Sequence, residues 1–154
     1  MSDLRELYQQ LILDHNKHPR NFRVIDPADR TAEGHNPLCG DKVQVYLQVD
    51  HDYITDIGFQ GSGCAISKAS ASLMTDAIKG KTLSETEAIF QDFHMMLTAP
   101  STNNADHDQM GKLAVFTGIR NYPARVKCAT LAWHTLKAAM ANTQTPVTTE
   151  SDSQ

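Results

Sequence analysis

The chain has 154 residues, 40% of them hydrophobic, and a net charge of −4 with both signs interspersed. That supports one domain with a real core and leaves no basic stripe for a nucleic-acid interface. No stretch approaches the roughly 20 apolar residues of a membrane span, and Met1-Ser2-Asp3-Leu4-Arg5-Glu6 is charged where a secretion signal would be apolar, so the cytoplasm is the expected compartment.

Leu4, Leu7, Tyr8, Leu11 and Ile12 recur at helical spacing behind Ser2 and Asp3, either of which can cap them, and predict an amphipathic helix over 4–15. Residues 16–37 are rich in Pro, Asn, Asp and Arg with little periodicity, which predicts an extended surface connection with a short strand near 22–25. The period then becomes two. Val43, Val45, Leu47 and Val49 alternate with Lys42, Gln44, Tyr46 and Gln48, as in a half-buried strand. Asp50-His51-Asp52 is a turn, and 53–60 returns as a second strand with Ile57 and Phe59 on one face.

Gly61-Ser62-Gly63 breaks that strand and opens a helix whose apolar face is Ala65, Ile66, Ala69, Leu73, Ala77 and Ile78, with Gly80 as its stop. Thr82-Leu83-Ser84-Glu85 is a capping box for a further helix carrying Ile89, Phe93, Met96 and Leu97. Residues 100–108 read as a loop and 113–119 as a short helix. Pro123 leads into a last helix with Cys128, Leu131, Ala132, Thr135, Leu136 and Ala139. The Thr/Ser/Gln/Glu composition of 142–154 predicts a disordered tail. The expected architecture is α+β: one domain over 1–141, a small antiparallel sheet packed against helices.

The chemistry concentrates in three cysteines. Cys39 lies in Asn36-Pro37-Leu38-Cys39-Gly40-Asp41, Cys64 follows Gly61-Ser62-Gly63, and Cys128 ends Pro123-Ala124-Arg125-Val126-Lys127-Cys128. No CxxC pair exists, and an odd number of scattered thiols suits a reducing compartment. With Asp41 they make a four-ligand set for one metal ion, and thiolates select zinc or iron–sulfur chemistry. Cys39 and Asp41 stand at i and i+2, which face one side of an extended segment, and Gly40 permits a turn between them. Cys64 and Cys128 lie near helix starts, where free N–H groups and the dipole favour a thiolate.

A dication with three thiolates and a carboxylate keeps two excess negative charges, which Arg125 and Lys127 can offset. Aspartate is a harder donor than cysteine, so this set fits a metal that exchanges a ligand, and losing Asp41 is expected to harm folding less than losing Cys64 or Cys128. Plainer readings stand beside these. A lone cysteine is often a small core residue, Asp41 is a plausible turn or cap residue, and His94 and His134 read as surface or partly buried side chains rather than ligands.

Together, the contexts around the three cysteines resemble the U-type scaffold and sulfur-transfer family of iron–sulfur cluster biogenesis, in particular its SufU branch. The matching stretches are 36–41, Gly61-Ser62-Gly63-Cys64-Ala65-Ile66-Ser67 with Ala69-Ser70-Ala71-Ser72, 122–136, Gln91-Asp92-Phe93-His94-Met95-Met96 and the first helix. Scaffold members carry a histidine where this chain has Lys127, and a Leu-Pro-Pro-Val-Lys stretch where it has Tyr122-Pro123-Ala124-Arg125-Val126-Lys127. Residues 93–112 look like an insertion typical of SufU.

The resemblance implies zinc on Cys39, Asp41, Cys64 and Cys128, with Cys39 as the sulfur acceptor. The implied donor is the persulfide of a SufS-type, pyridoxal-phosphate cysteine desulfurase, one of whose histidines displaces Cys39 from the metal, and the downstream SUF machinery is a further partner. Arg125 is expected to steady the exchange. A scaffold holding a [2Fe–2S] cluster is the alternative, and a zinc-stabilised interaction domain is the third reading.

Overall fold

Period-two burial along one segment organises the whole molecule. In the computed structural model, which describes residues 2–98, 105–142 and 147–148, strand β2 (Asp41–Asp50) turns Val43, Val45 and Leu47 inward and Lys42 and Gln44 to solvent. It pairs antiparallel with β3 (Tyr53–Ser62), setting Val45 opposite Phe59 and Leu47 opposite Ile57. The turn between them holds His51 at φ 51° and Asp52 at φ 68°, as a two-residue type I′ hairpin requires.

Helix α1 (Ser2–Lys17) precedes the sheet, and α2 (Ala65–Ile78), α3 (Leu83–Thr98), a 3₁₀ segment (Ala105–Ile119) and α4 (Pro123–Met140) follow β3. Helices α2 and α4 cover the inner sheet face through Leu73, Met74, Ile78, Leu131 and Leu136, all essentially inaccessible. Serines and alanines on α2 let α4 approach closely. Ser70 Oγ donates to the Ala129 carbonyl at 2.5 Å and accepts from Trp133 Nε1 at 3.1 Å, so the buried hydroxyl is satisfied. Phe93 stacks on Trp133 at 4.6 Å and meets Phe116 edge-on at 5.9 Å, tying α3 and the 3₁₀ segment to α4. The capping box forms as read: Thr82 N–H donates to Glu85 at 2.9 Å, and Glu85 N–H donates to Thr82 Oγ1 at 2.9 Å.

The structure corrects the sequence reading in several places. Residues 16–37 contain a full strand, β1 (Arg30–Asn36), antiparallel to β2. Its inward positions are Ala32, Gly34 and Asn36, so no apolar period marks it. A Cβ on Gly34 would stand 3.2 Å from Leu131 Cδ1 and nearer still to Thr135 Oγ1, and the missing side chain is what seats α4 on this strand. No strand covers 22–25; Phe22 makes one isolated bridge to Phe59 and packs its ring edge-on at 5.1 Å.

The sheet is also mixed rather than wholly antiparallel. Val147–Thr148 (β4), inside the stretch expected to be a disordered tail, pair parallel with Gly34 and His35, giving the order β3-β2-β1-β4. The rest of 143–154 lies outside the described residues. Residues 105–108, expected in a loop, open the 3₁₀ segment, which runs through a kink at Gly111 (φ 57°) into the buried Leu113, Val115, Phe116 and Ile119; residues 99–104 lie outside the description. On α1, Leu7 faces solvent and His15 is buried. Among the described residues, no helix is long and apolar enough to cross a membrane.

Candidate metal centre

The β1–β2 connection is a tight turn that presents a thiol. Cys39 N–H donates to the Asn36 carbonyl at 3.3 Å, closing a four-residue turn with Pro37 in its second position, where a fixed φ is favourable. Gly40 follows at φ 72°, a left-handed conformation that glycine adopts without strain. Cys39 is therefore exposed at the tip. Asp41, at the start of β2, points to the sheet's inner face with the valines and is fully buried.

Cys64 caps α2. Its Sγ accepts from Ser67 N–H at 3.5 Å, and its own N–H donates to Asp41 Oδ1 at 2.9 Å. Gly63 makes that approach possible: at φ 150°, a Cβ there would stand 2.9 Å from Asp41 Cγ and closer still to Oδ1. Cys128 lies on the second turn of α4, only 3% exposed.

These junctions converge. Cys128 Sγ is 3.5 Å from Cys39 Sγ, and Cys64 Sγ is 3.9 Å from Asp41 Oδ2. The donor atoms of Cys39, Asp41 and Cys128 all lie within 4.8 Å of one another. Cys64 stands at the edge of this group, against Asp41. Burial pushes the Cys128 thiol far above the ordinary thiol range, and its contacts with Asp41, Cys39 and Cys64 push it the same way.

A dication reverses that preference, and the spacing suits one. Zinc–sulfur bonds of about 2.3 Å set tetrahedral sulfur–sulfur edges of about 3.8 Å, within a few tenths of the Cys39–Cys128 separation. The buried carboxylate and soft sulfurs meet the charge and donor preferences of zinc.

Arg125 lies apart from this group in its described contacts. Its exposed guanidinium rests over the Tyr122 ring at 5.2 Å and borders a groove of about 660 Å³ shared with Tyr8, Ile12 and Ile66. His94 and His134 meet each other across α3 and α4 at 5.9 Å, against Phe90, and neither belongs to the donor cluster.

Asn36 is the residue the sequence reading did not single out. Fully buried, it sets Nδ2 3.4 Å from Asp41 Oδ2 and 3.6 Å from Cys128 Sγ. Its place three residues before Cys39 marks it as a turn residue. Nothing in the sequence marks its reach to α4.

The family model for the NifU-like N-terminal domain matches residues 7–129. Over 140 residues the chain is 38% identical to the zinc-dependent sulfurtransferase SufU of Bacillus subtilis, covering 91% of this chain and 93% of that protein. It is 37% identical to the iron–sulfur cluster assembly scaffold protein IscU of Streptococcus pyogenes, covering 91% and 86%. A solved structure from Fervidobacterium islandicum AW-1, assigned as an iron–sulfur cluster assembly scaffold protein for the SUF system, superposes with a TM-score of 0.79 at 35% identity, covering 88% of this chain and 98% of that one. The matched span holds β1 to β3, both glycine-bounded turns and the first turns of α4, and so includes every donor of the cluster. On that ground the chain belongs to the NifU-like N-terminal domain family, with the SufU and IscU proteins of iron–sulfur cluster assembly.

Proposed function

We propose that this protein is a zinc-dependent sulfur acceptor that takes persulfide sulfur from a SufS-type cysteine desulfurase and passes it towards cluster assembly by the SUF machinery. The observation that carries this reading is the unequal exposure of thiols within one cluster. Cys39 is exposed at a turn tip, Cys64 is half-buried and Cys128 is buried. One thiol can therefore meet a partner while the others stay fixed.

Cys39, Asp41, Cys64 and Cys128 would hold the zinc. Bound there, zinc would keep its thiol ligands deprotonated at neutral pH, a state that burial opposes at Cys128. Cys39 is the nucleophile. Its thiolate attacks the outer sulfur of the partner's persulfide, a new sulfur–sulfur bond forms on Cys39, and the partner's cysteine leaves as a thiolate, with no net oxidation. Asp41 and Cys128 keep their places on rigid elements, and Cys64 stays anchored by its N–H bond to Asp41. The exposed Arg125, held on Tyr122 at the rim of the neighbouring groove, is available to an approaching partner and steadies the docked pair.

The test is cysteine-dependent turnover of a SufS-type desulfurase with the zinc-loaded chain and with Cys39→Ala. Strong stimulation by wild type alone supports a sulfur acceptor working through Cys39. The 37% identity to a protein named as a scaffold favours a second reading, a chain that holds a [2Fe–2S] cluster on the same donors. Absence of stimulation, with a stable cluster spectrum after anaerobic reconstitution, would put that reading first.

A further inference from the structure

Asn36 touches both halves of the centre. Its side-chain amide carries two N–H donors and one carbonyl acceptor. The NH₂ group faces Asp41 Oδ2 at 3.4 Å and Cys128 Sγ at 3.6 Å. The carbonyl Oδ1 accepts from Leu38 N–H at 3.2 Å, and the backbone carbonyl accepts from Cys39 N–H at 3.3 Å. The residue is fully buried and pairs with Asp41 as the last rung of the β1–β2 ladder, so its backbone is fixed. One end of the side chain holds a carboxylate on β2 and a sulfur on α4. The other sets the turn that exposes Cys39.

We infer that Asn36 is a positioning residue of the metal centre: its amide orients Asp41 and Cys128 by hydrogen bonding, while its carbonyl holds the Leu38–Cys39 turn in the shape that lets Cys39 join or leave them. Hydrogen bonds to the outer lone pairs of metal-bound donors orient those donors and raise metal affinity. A neutral donor suits the place, because two anionic acceptors converge on it and a cation would compete with the metal. The inference rests on the metal-centre reading given above and extends it to a residue outside the ligand set.

Two substitutions separate the two ends of the side chain. Asn36→Asp preserves shape and the Leu38 acceptor but puts an oxygen opposite Asp41 and Cys128. Asn36→Ser retains an acceptor short enough for a turn of this kind and cannot reach either ligand. Zinc affinity is measured by competition with a chromophoric chelator, and geometry by the thiolate-to-metal and d–d absorption bands of the Co²⁺-substituted chain. Far-UV circular dichroism establishes that each variant is folded.

Both variants are expected to bind zinc about ten- to a hundredfold more weakly than wild type and to show altered cobalt bands, with Asn36→Asp the weaker. If Asn36 served the turn alone, Asn36→Asp would match wild type in both readouts, and that result overturns the inference. Unchanged affinity and spectrum in Asn36→Ser overturns it equally. A wild-type chain that takes up neither metal refutes the metal centre itself, a failure distinct from ordinary uptake by the variants.

Discussion

The sulfur atoms of Cys39 and Cys128 lie 3.5 Å apart, yet one belongs to an exposed turn and the other to the buried face of α4. The pair spans the boundary between solvent and core. In the metal-free chain, alkylation by iodoacetamide should therefore modify Cys39 first, with Cys64 intermediate and Cys128 last, since reactivity follows thiolate character and access. Zinc should slow all three. Peptide mass spectrometry of timed samples gives the order, and early labelling of Cys128 in folded protein would refute it.

Asp41 does more than its donor hardness suggests. Its Oδ1 satisfies the Cys64 N–H at 2.9 Å, and the group is fully buried. Asp41→Ala leaves that donor unpaired at a helix start, which costs about 1–3 kcal/mol even without metal. The mild effect expected from ligand chemistry alone thus gives way to a loss comparable with that of Cys64→Ala. Urea unfolding of both variants in EDTA measures this, and a metal-free Asp41→Ala as stable as wild type would contradict it.

Gly63 is the backbone half of the same relationship. With φ at 150° and Asp41 against its Cα, an alanine there meets both conformational strain and a clash with the carboxylate. Gly63→Ala should cost on the order of 1–3 kcal/mol and displace Asp41, so zinc affinity falls with stability. Gly40 is left-handed too, at φ 72°, but has open space around its Cα. Gly40→Ala should therefore show only the conformational part, and thermal melts of both variants with and without zinc separate the two effects.

How far the sequence disclosed this arrangement depends on the range of each interaction. The capping box at Thr82 and Glu85 and the alternation of Val43, Val45 and Leu47 are local, and both form as read. Strand β1 escaped because α4 requires smallness there: Ala32, Gly34 and Asn36 carry no apolar period to detect. The three thiols were legible because each sits beside a turn or helix-start signal of its own. Asn36 was not, since its second partner, Cys128, is 92 positions away and only the packing of α4 on β1 brings the two together.

A pH dependence follows from His15, which is 1% exposed between α1 and α2. Ser72 Oγ accepts from Arg20 N–H at 2.8 Å and lies 2.7 Å from His15 Nδ1, which ties the buried ring to α2. Burial holds His15 below the ordinary histidine range, and the Arg20 charge adds to this, while Asp76 and Asp14 oppose it and Lys112 reinforces it. Because the unfolded chain takes up this proton more readily, stability is fully present above about pH 6.5 and is lost as the pH falls below it. His134, also lowered by burial, contributes with the same sign. Each such group gives a slope of up to about 1.4 kcal/mol per pH unit in that window. Replacing His15 by Asn, which offers a permanently neutral acceptor, should remove one share of the slope between pH 7 and 5 while leaving that of His134. Urea midpoints of wild type and His15→Asn across this range test the assignment, and parallel curves would show that His15 does not titrate with unfolding.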